Sequence, residues 1–394
     1  MNTVNKILII LISLFKGFYN SFFLSKTNNI NNEVIIVFSG IIGDAVCFLD
    51  SMKKYIEVFS VNKGYKVTFV FKPVVIKFLY ACGIEINADI VELDFNRYCS
   101  EYKYFNESNK LVLSKKYDYV IAPQKSISAA IVSMNIKGTQ KYTLDYPIKI
   151  QSILKRVIYS LAYNNRIQVS GNCTIIKAMT EVINYFSEER ILAHMPQISI
   201  NTNKKTINTK KPYCVIAPVS SRYEKEWELS NYANIINKLV DKGYFIYLCG
   251  TNVANDKLES LMSNVINPKK VINLLCKTGF REWVELILNA KLLVGCDSAS
   301  IHIAAATNTP SICILGGMDY NLIYPYQLDE ILEGQYIPDC VICEPKECFG
   351  CRRRSDKYGF GNIECINKIK LGKSIMCIEH ITVDQVWNRV MKYI

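Results

Sequence analysis

The sequence lacks a long uninterrupted apolar run. The one at the amino end stops at Phe15, too short to cross a bilayer, which takes about 20 apolar residues. No small-residue cleavage site follows it, which argues against a signal peptide. A P-loop is also missing. Asn367–Ser374 ends in Gly372-Lys373-Ser374, but Asn367 stands where the first glycine is needed and no clear buried strand precedes it. Charge is sparse at 21% of residues while half the chain is apolar, so global disorder is excluded. Histidine is scarce, with three in 394 residues. An even cysteine count is absent too. The 15 cysteines cannot all pair within one chain.

What is present fits two domains, because 394 residues exceed one ordinary core. The formal charge of +12 describes either a solvated lysine-rich surface or an anionic partner. Phosphorylated small molecules, anionic lipid headgroups and nucleic acid all qualify, and charge alone does not choose. Cysteines scattered through apolar segments, such as Cys214, Cys249, Cys296 and Cys313, read as small buried residues of a reduced, cytosolic protein.

Residues 1–32 read as an amphipathic membrane-associating segment and linker. The stretch 7–24, with Lys6, Lys16 and Lys26 beside it, predicts a helix lying in the membrane interface, held by Phe and Tyr and drawn to anionic lipid. A tilted span and a helix packed on the protein itself are the alternatives. Asn28–Asn32 reads as the linker.

From Val34 the pattern becomes strand, turn, helix. Val34–Phe38, Lys66–Phe71 and Tyr117–Ile121 are apolar, β-branched or aromatic runs suited to buried parallel strands. They assign residues 33–200 to a first Rossmann-like domain. The polar, lysine-rich stretch 201–212 reads as a linker. The pattern restarts at Tyr213–Ala217, and 213–380 form a second such domain, with a helix over Ser230–Lys242 capped by Ser230. Residues 381–394 close the chain as a helix. Ligands of such sheets bind at the carboxyl ends of the strands, where three polar sites fall. In the first, Gly40 and Gly43 permit a tight turn, and Asp44 either caps the following helix or takes a proton from a hydroxyl nucleophile. The second, Ala217–Trp227, offers Ser220, Ser221 and a mobile Lys225 to a diphosphate, or is an ordinary polar loop. The third joins a strand to a helix through Asp297 and Ser298, with His302 one turn in. Its plain reading is a helix cap with a buried, hydrogen-bonded histidine.

In this order the three sites resemble the ADP-heptose:lipopolysaccharide heptosyltransferases, glycosyltransferase family 9. Ser39-Gly-Ile-Ile-Gly43-Asp44 is similar to the family's S-x-I-G-D. Pro218, Ser220 or Ser221, Lys225 and Trp227 match its second motif, while Val219 and Glu228 depart from it. Asp297, Ser298, His302, Ala304 and Ala305 match D-[ST]-G-x-x-H-x-A-A, with Ala299 in place of Gly. Asn273–Thr278 resembles N-L-x-G-K-T, with Cys276 replacing Gly. The resemblance implies an α/β protein of GT-B class, two Rossmann-like domains with parallel sheets facing across a cleft. It implies an inverting, metal-independent transfer of a heptose-like sugar from a nucleotide-diphosphate donor to a lipopolysaccharide-type or other glycan acceptor. Asp44 would be the base. Lys225 with Ser220 and Ser221 would hold the diphosphate. Asp297, Ser298 and His302 would contact the donor, and Asp256 its ribose. No Asp-x-Asp pair, the metal-holding motif of the other large glycosyltransferase class, is present. No cofactor is expected for the reaction. The enzyme would sit peripherally on the inner face of the cytoplasmic membrane.

Cys340, Cys343, Cys348 and Cys351 form two CxxC pairs, followed by Cys365 and Cys377. Such spacing suggests structural zinc, and a disulfide clip on a long loop over 340–377 is the other reading. Arg352-Arg353-Arg354 within it could meet anionic lipid or phosphate. A nucleic-acid-binding protein built on this loop, and a silent nucleotide-sugar-binding paralogue, are the competing functions. The first leaves the strand-end motifs unexplained and its basic residues are spread rather than clustered, so nucleic acid is not expected. The second conflicts with the presence of Asp44.

Overall fold

The computed structural model describes residues 2–20, 32–111, 113–146, 153–200, 206–250, 255–345, 348–351, 365 and 376–394. The arginine triplet Arg352–Arg354, the incomplete P-loop, residues 21–31 and the first five residues of the expected linker lie outside these. The chain divides into two compact units, Met1–Leu79 with Glu85–Ala193, and Tyr80–Ile84 with His194–Ile394.

The first unit opens with α1 (Asn2–Tyr19) and then alternates: β1 (Glu33–Val37), α2 (Ile42–Ile56), β2 (Lys66–Phe71), α3 (Pro73–Ala81), β3 (Asp89–Glu92), α4 (Phe95–Tyr98), α5 (Tyr102–Leu111) and β4 (Lys116–Ala122). There follow α6 (Ile127–Asn135), β5 (Lys137–Asp145), α7 (Ile153–Ala162), β6 (Asn165–Gln168) and α8 (Ile175–Asn184). All six strands are parallel, in the order β3-β2-β1-β4-β5-β6. Central β1 is buried along Val34–Val37, as a parallel strand covered on both faces must be. The expected strands are present with ends moved by a residue or so. A π-helical turn, Glu57–Val61, extends α2.

Helix α1 packs against α5, α6 and α7. No helix among the described residues is long and apolar enough to cross a membrane. The helix packed on the protein itself is the reading that the structure shows, with Ile9 and Ser13 fully buried.

Lys141 of β5 is buried without a carboxylate. Its Nζ donates to the carbonyls of Ser133 (2.5 Å) and Ile136 (2.7 Å), at the C-terminal end of α6. Burial lowers its pKa from 10.5 to about 7. Below that value the lysine is charged whether the chain is folded or not. Above it, and up to its ordinary value, only the unfolded chain holds the proton, so stability rises with pH across this window. The stability difference between wild type and Lys141→Met, from urea denaturation, is expected to move in favour of wild type between about pH 7 and about pH 9, by up to about 1.4 kcal/mol per pH unit. A flat difference would show that the folded protein keeps the ammonium.

The second unit repeats the plan with β7 (Tyr213–Ala217), α9 (Leu229–Asp241), β8 (Phe245–Leu248), α10 (Asn255–Ser263), β9 (Val271–Asn273), α11 (Phe280–Leu288), β10 (Leu293–Cys296) and α12 (Ala299–Ala306). It ends with β11 (Ser311–Ile314), β12 (Asp339–Val341), α13 (Met376–Glu379) and α14 (Val383–Val390). The parallel order is β12-β11-β10-β7-β8-β9. In both sheets the first strand of the unit lies in the middle, and the chain leaves it first to one side and later to the other.

Two local readings change. Helix α9 begins at Leu229 with Glu228 at its cap position, so Ser230 lies inside the helix rather than capping it. Trp227 sets this start. It is buried, donates its indole N–H to the Ile381 carbonyl (2.8 Å), and meets Tyr232 edge-on at 5.1 Å. The final helix is shorter than 381–394, because Thr382 caps it by accepting the Gln385 N–H at 3.2 Å.

Candidate active site

The second unit gathers its polar motifs at the carboxyl ends of β7 and β10, neighbours from which the chain departs in opposite directions. Lys225 ends a short 3-10 turn, Tyr223–Lys225, after β7. Its Nζ lies 2.8 Å from Asp297 Oδ2, directly after β10, and 2.5 Å from Asp319 Oδ2, in the loop after β11. Both carboxylates are buried, at 3% and 1% exposure. Burial pushes the Asp297 carboxyl up to about 6, with Asp319 pushing the same way and Lys225 opposing. Lys225 is therefore not the mobile cation expected from the sequence. Two acids hold it, and one of them, Asp319, carries no motif of its own.

His302 extends this cluster. Its ring stacks on Tyr324 (5.0 Å between centroids) and Tyr326 (5.9 Å), and its Nδ1 shares hydrogen bonds with both phenols. Burial, and next the Lys225 ammonium, lower its pKa to about 3. The imidazole is neutral at physiological pH. Ser298 is the N-cap residue of α12, but its side chain makes no capping bond. Its hydroxyl is buried without a hydrogen-bond partner. A buried hydroxyl left unpaired costs about 1–3 kcal/mol, so a ligand oxygen reaching it would recover that penalty. Ser220 is more committed. Its Oγ donates to the Asp297 carbonyl at 3.5 Å, and its N–H donates to Glu226 at 3.2 Å. Ser221 is exposed. The Asp256 side chain falls outside the described residues.

Cys276 adopts φ +57°, the left-handed region. Its N–H donates to the Gly250 carbonyl at 3.0 Å, closing a turn beside the β8 end. The backbone at this position has the conformation that favours glycine, and a cysteine held there is strained.

The first unit collects a separate set at its own carboxyl edge. Asp44 lies in the first turn of α2, and its Oδ2 accepts the Ile41 N–H at 3.0 Å. The capping role is thus present in the structure, and the second carboxylate oxygen remains for other chemistry. Gly40 is fixed by packing, not by an unusual φ. A Cβ there would come within 2.6 Å of Asp44 and of the Phe38 ring. Gly43 is buried inside the helix. Sequence reasoning passed over Lys72, just after β2. Burial lowers its pKa, against the raising influence of Asp44 and then Asp94. It also passed over Lys125, after β4, whose ammonium meets Asp145 at the end of β5 at 2.5 Å. All follow strand ends, the one positional signal that would have found them.

The cysteine loop differs from expectation. No disulfide bond joins the described cysteines, so the expected clip is not seen in this structure. Cys340 sits on β12 opposite Cys313 of β11, and burial and the Cys340 thiol raise the Cys313 pKa. Cys351 instead has Cys377, Cys348 and Cys365 around it, and burial pushes its thiol up to about 12. Among the described residues no group of three or more His, Cys, Asp or Glu side chains is placed to hold a metal ion. Cys377 in turn has Cys365, Cys343 and Cys348 around it.

Comparison with known proteins adds an independent line. Residues 108–348 match glycosyltransferase family 9 (heptosyltransferase). Lipopolysaccharide heptosyltransferase 3 of Escherichia coli K12 is 32% identical over 121 residues, 30% of this chain and 35% of the relative. The chain spans between 25% and 69% of the length of the curated relatives it matches. E. coli heptosyltransferase WaaC with ADP superposes with TM-score 0.59 at 19% identity, over 78% of this chain and 93% of the other. The family 9 glycosyl transferase of Veillonella parvula gives TM-score 0.63 at 13% identity, over 93% and 98%. At such identities these structures speak for the fold, which is of the expected GT-B class. With the family match covering more than half of the sequence, the chain belongs to glycosyltransferase family 9.

Proposed function

We propose that this chain is an inverting, metal-independent glycosyltransferase that moves a heptose-like sugar from a nucleoside diphosphate to a lipopolysaccharide-type acceptor, working peripherally at the inner face of the cytoplasmic membrane. The observation carrying the reading is the second unit's cluster: the Lys225 ammonium on Asp297 and Asp319, beside the unpaired Ser298 hydroxyl at the start of α12. Cleaving a sugar–phosphate bond builds negative charge on the departing diphosphate. A fixed ammonium, a free hydroxyl and the positive end of a helix are groups that stabilise such charge in place. With no Asp-x-Asp pair in the sequence, the proposal gives that work to side chains rather than to a metal. Neutral His302 contributes hydrogen bonds to the sugar or phosphate without adding charge. In the first unit Asp44 takes the proton of the acceptor hydroxyl. One base and no covalent intermediate lead to inversion.

The test is a panel of nucleotide sugars, ADP-heptose included, assayed for hydrolysis and for transfer, with EDTA present and the product's anomeric configuration read by NMR. Transfer with inversion, unaffected by EDTA, is expected for one donor. Retention of configuration, or activity lost in EDTA and restored by a divalent cation, would overturn the mechanism. Inertness toward every donor would overturn the function.

A further inference from the structure

Helix α1 turns Ser13, Gly17 and Asn20 inward beside Ile9, which joins the hydrophobic core of the unit. Ser13 Oγ accepts from Asn135 Nδ2 at 2.8 Å, and Asn20 Nδ2 donates to the Met134 carbonyl at 2.9 Å. Gly17 lies so close to the layer beneath that a Cβ would stand 3.1 Å from Met134 Sδ and 3.2 Å from Leu161 Cβ of α7. The opposite stripe of the helix is large, apolar and in solvent. Leu11 is 58% exposed, Phe15 72% and Phe18 54%. Ile9 alone among its large apolar residues is fully buried, and more than half of each of Leu11, Phe15 and Phe18 is left uncovered. Helix α7, in contact with α1, does the same with Ile153, Leu154 and Val157, all exposed.

We propose that the outer faces of α1 and α7 together form one docking surface for an anionic lipid bilayer. The charge pattern selects this occupant. Neither helix contains an Asp or Glu, while Lys6 and Arg156 are exposed. A surface made for a second protein helix usually carries both signs beside its apolar stripe, whereas aromatic and aliphatic side chains on helices whose only charged residues are cations match a headgroup layer. The inner face of α1 is held by hydrogen bonds to the protein, so the helix meets the bilayer lengthwise and the catalytic units stay in water. The inference rests on the peripheral-membrane reading above for its occupant. It adds α7, which the sequence alone did not connect with the membrane.

Sedimentation of the full chain with vesicles tests it, using pure phosphatidylcholine and an equal mixture of phosphatidylcholine and phosphatidylglycerol. Binding is expected to the mixed vesicles and to weaken with salt. Both L11S/F15S and I153S/V157S should lower the partition coefficient about tenfold. These side chains are solvent-exposed, so melting temperature is expected to stay unchanged. Wild-type binding by the α7 variant would overturn the two-helix surface. A wild-type dimer that both variants turn into monomer, without vesicle binding, would assign the surface to a second copy instead. Donor hydrolysis in the same samples separates the two proposals. Vesicle binding without hydrolysis counts against the transferase reading, and hydrolysis without vesicle binding counts against this one.

Discussion

Asp44→Asn is expected to bind donor like wild type and to lower the transfer rate by about 10²–10⁴-fold, the usual contribution of a positioned general base. The substitution is chosen for what it leaves intact. Asp44 also accepts the Ile41 N–H at 3.0 Å, and an asparagine oxygen can accept the same bond. Asp44 stands at the N3 position of α2, so a purely structural Asp44 would keep this bond as asparagine and lose only the modest attraction of its charge to the helix N-terminus. Single-turnover transfer and donor titration by calorimetry, measured on one preparation, discriminate the two roles. Unchanged transfer reduces Asp44 to a cap. Lost donor binding would put it in the nucleotide site rather than at the acceptor.

Lys225→Ala is the second large effect, and here the structure changes what the experiment means. If Lys225 holds the donor diphosphate as proposed, removing the ammonium should lower donor affinity at least tenfold. It also strands Asp297 and Asp319, whose side chains are almost fully buried. Breaking a buried ion pair from one side costs about 3–5 kcal/mol, so a marked fall in melting temperature is expected at neutral pH. The pH dependence has a definite sign. Lys225 holds the Asp297 pKa down to about 6 against burial, so its loss raises that pKa further. The stability deficit should therefore shrink as pH falls toward about 6, where the variant's carboxyl takes up a proton that wild type has not yet bound. The double variant Lys225→Met with Asp319→Asn removes part of the buried charge and should recover stability without recovering affinity. If stability and affinity return together, Lys225 is a structural cation only.

Both sheets were legible because their central strands are short apolar runs, as in Val34–Val37 and Tyr213–Ala217, which only a doubly covered parallel strand explains. Much of the first unit was not. Strand β5 reads KGTQKYTLD, and its buried Lys141 looks like a surface residue until the carbonyls it caps are seen. Helix α5 carries so many polar residues that its apolar face is hard to find by period. In the second unit, Lys225, Asp297 and His302 stood out by motif, but Asp319 follows two glycines in a loop with no spacing signal. Its role exists only through the fold, which returns the loop after β11 to the lysine after β7. The place of the cysteines was likewise hidden in their spacing. Tandem CxxC pairs suggest one cage, whereas placing Cys340 on a strand beside Cys313 takes it out of the loop that its spacing seemed to define.

The docked inner stripe of α1 bears on any effort to trim the chain. Cutting away the first twenty residues removes a greasy exterior, yet the helix layer below is finished by that segment, not by water. Asn135 would lose its hydroxyl acceptor and the Met134 carbonyl its amide donor, while the hydrophobic cluster that includes Ile9 would be opened. A shortened protein would trade one sticky surface for another, and the better route to a well-behaved sample is to make the outer stripe polar while leaving the helix where it is.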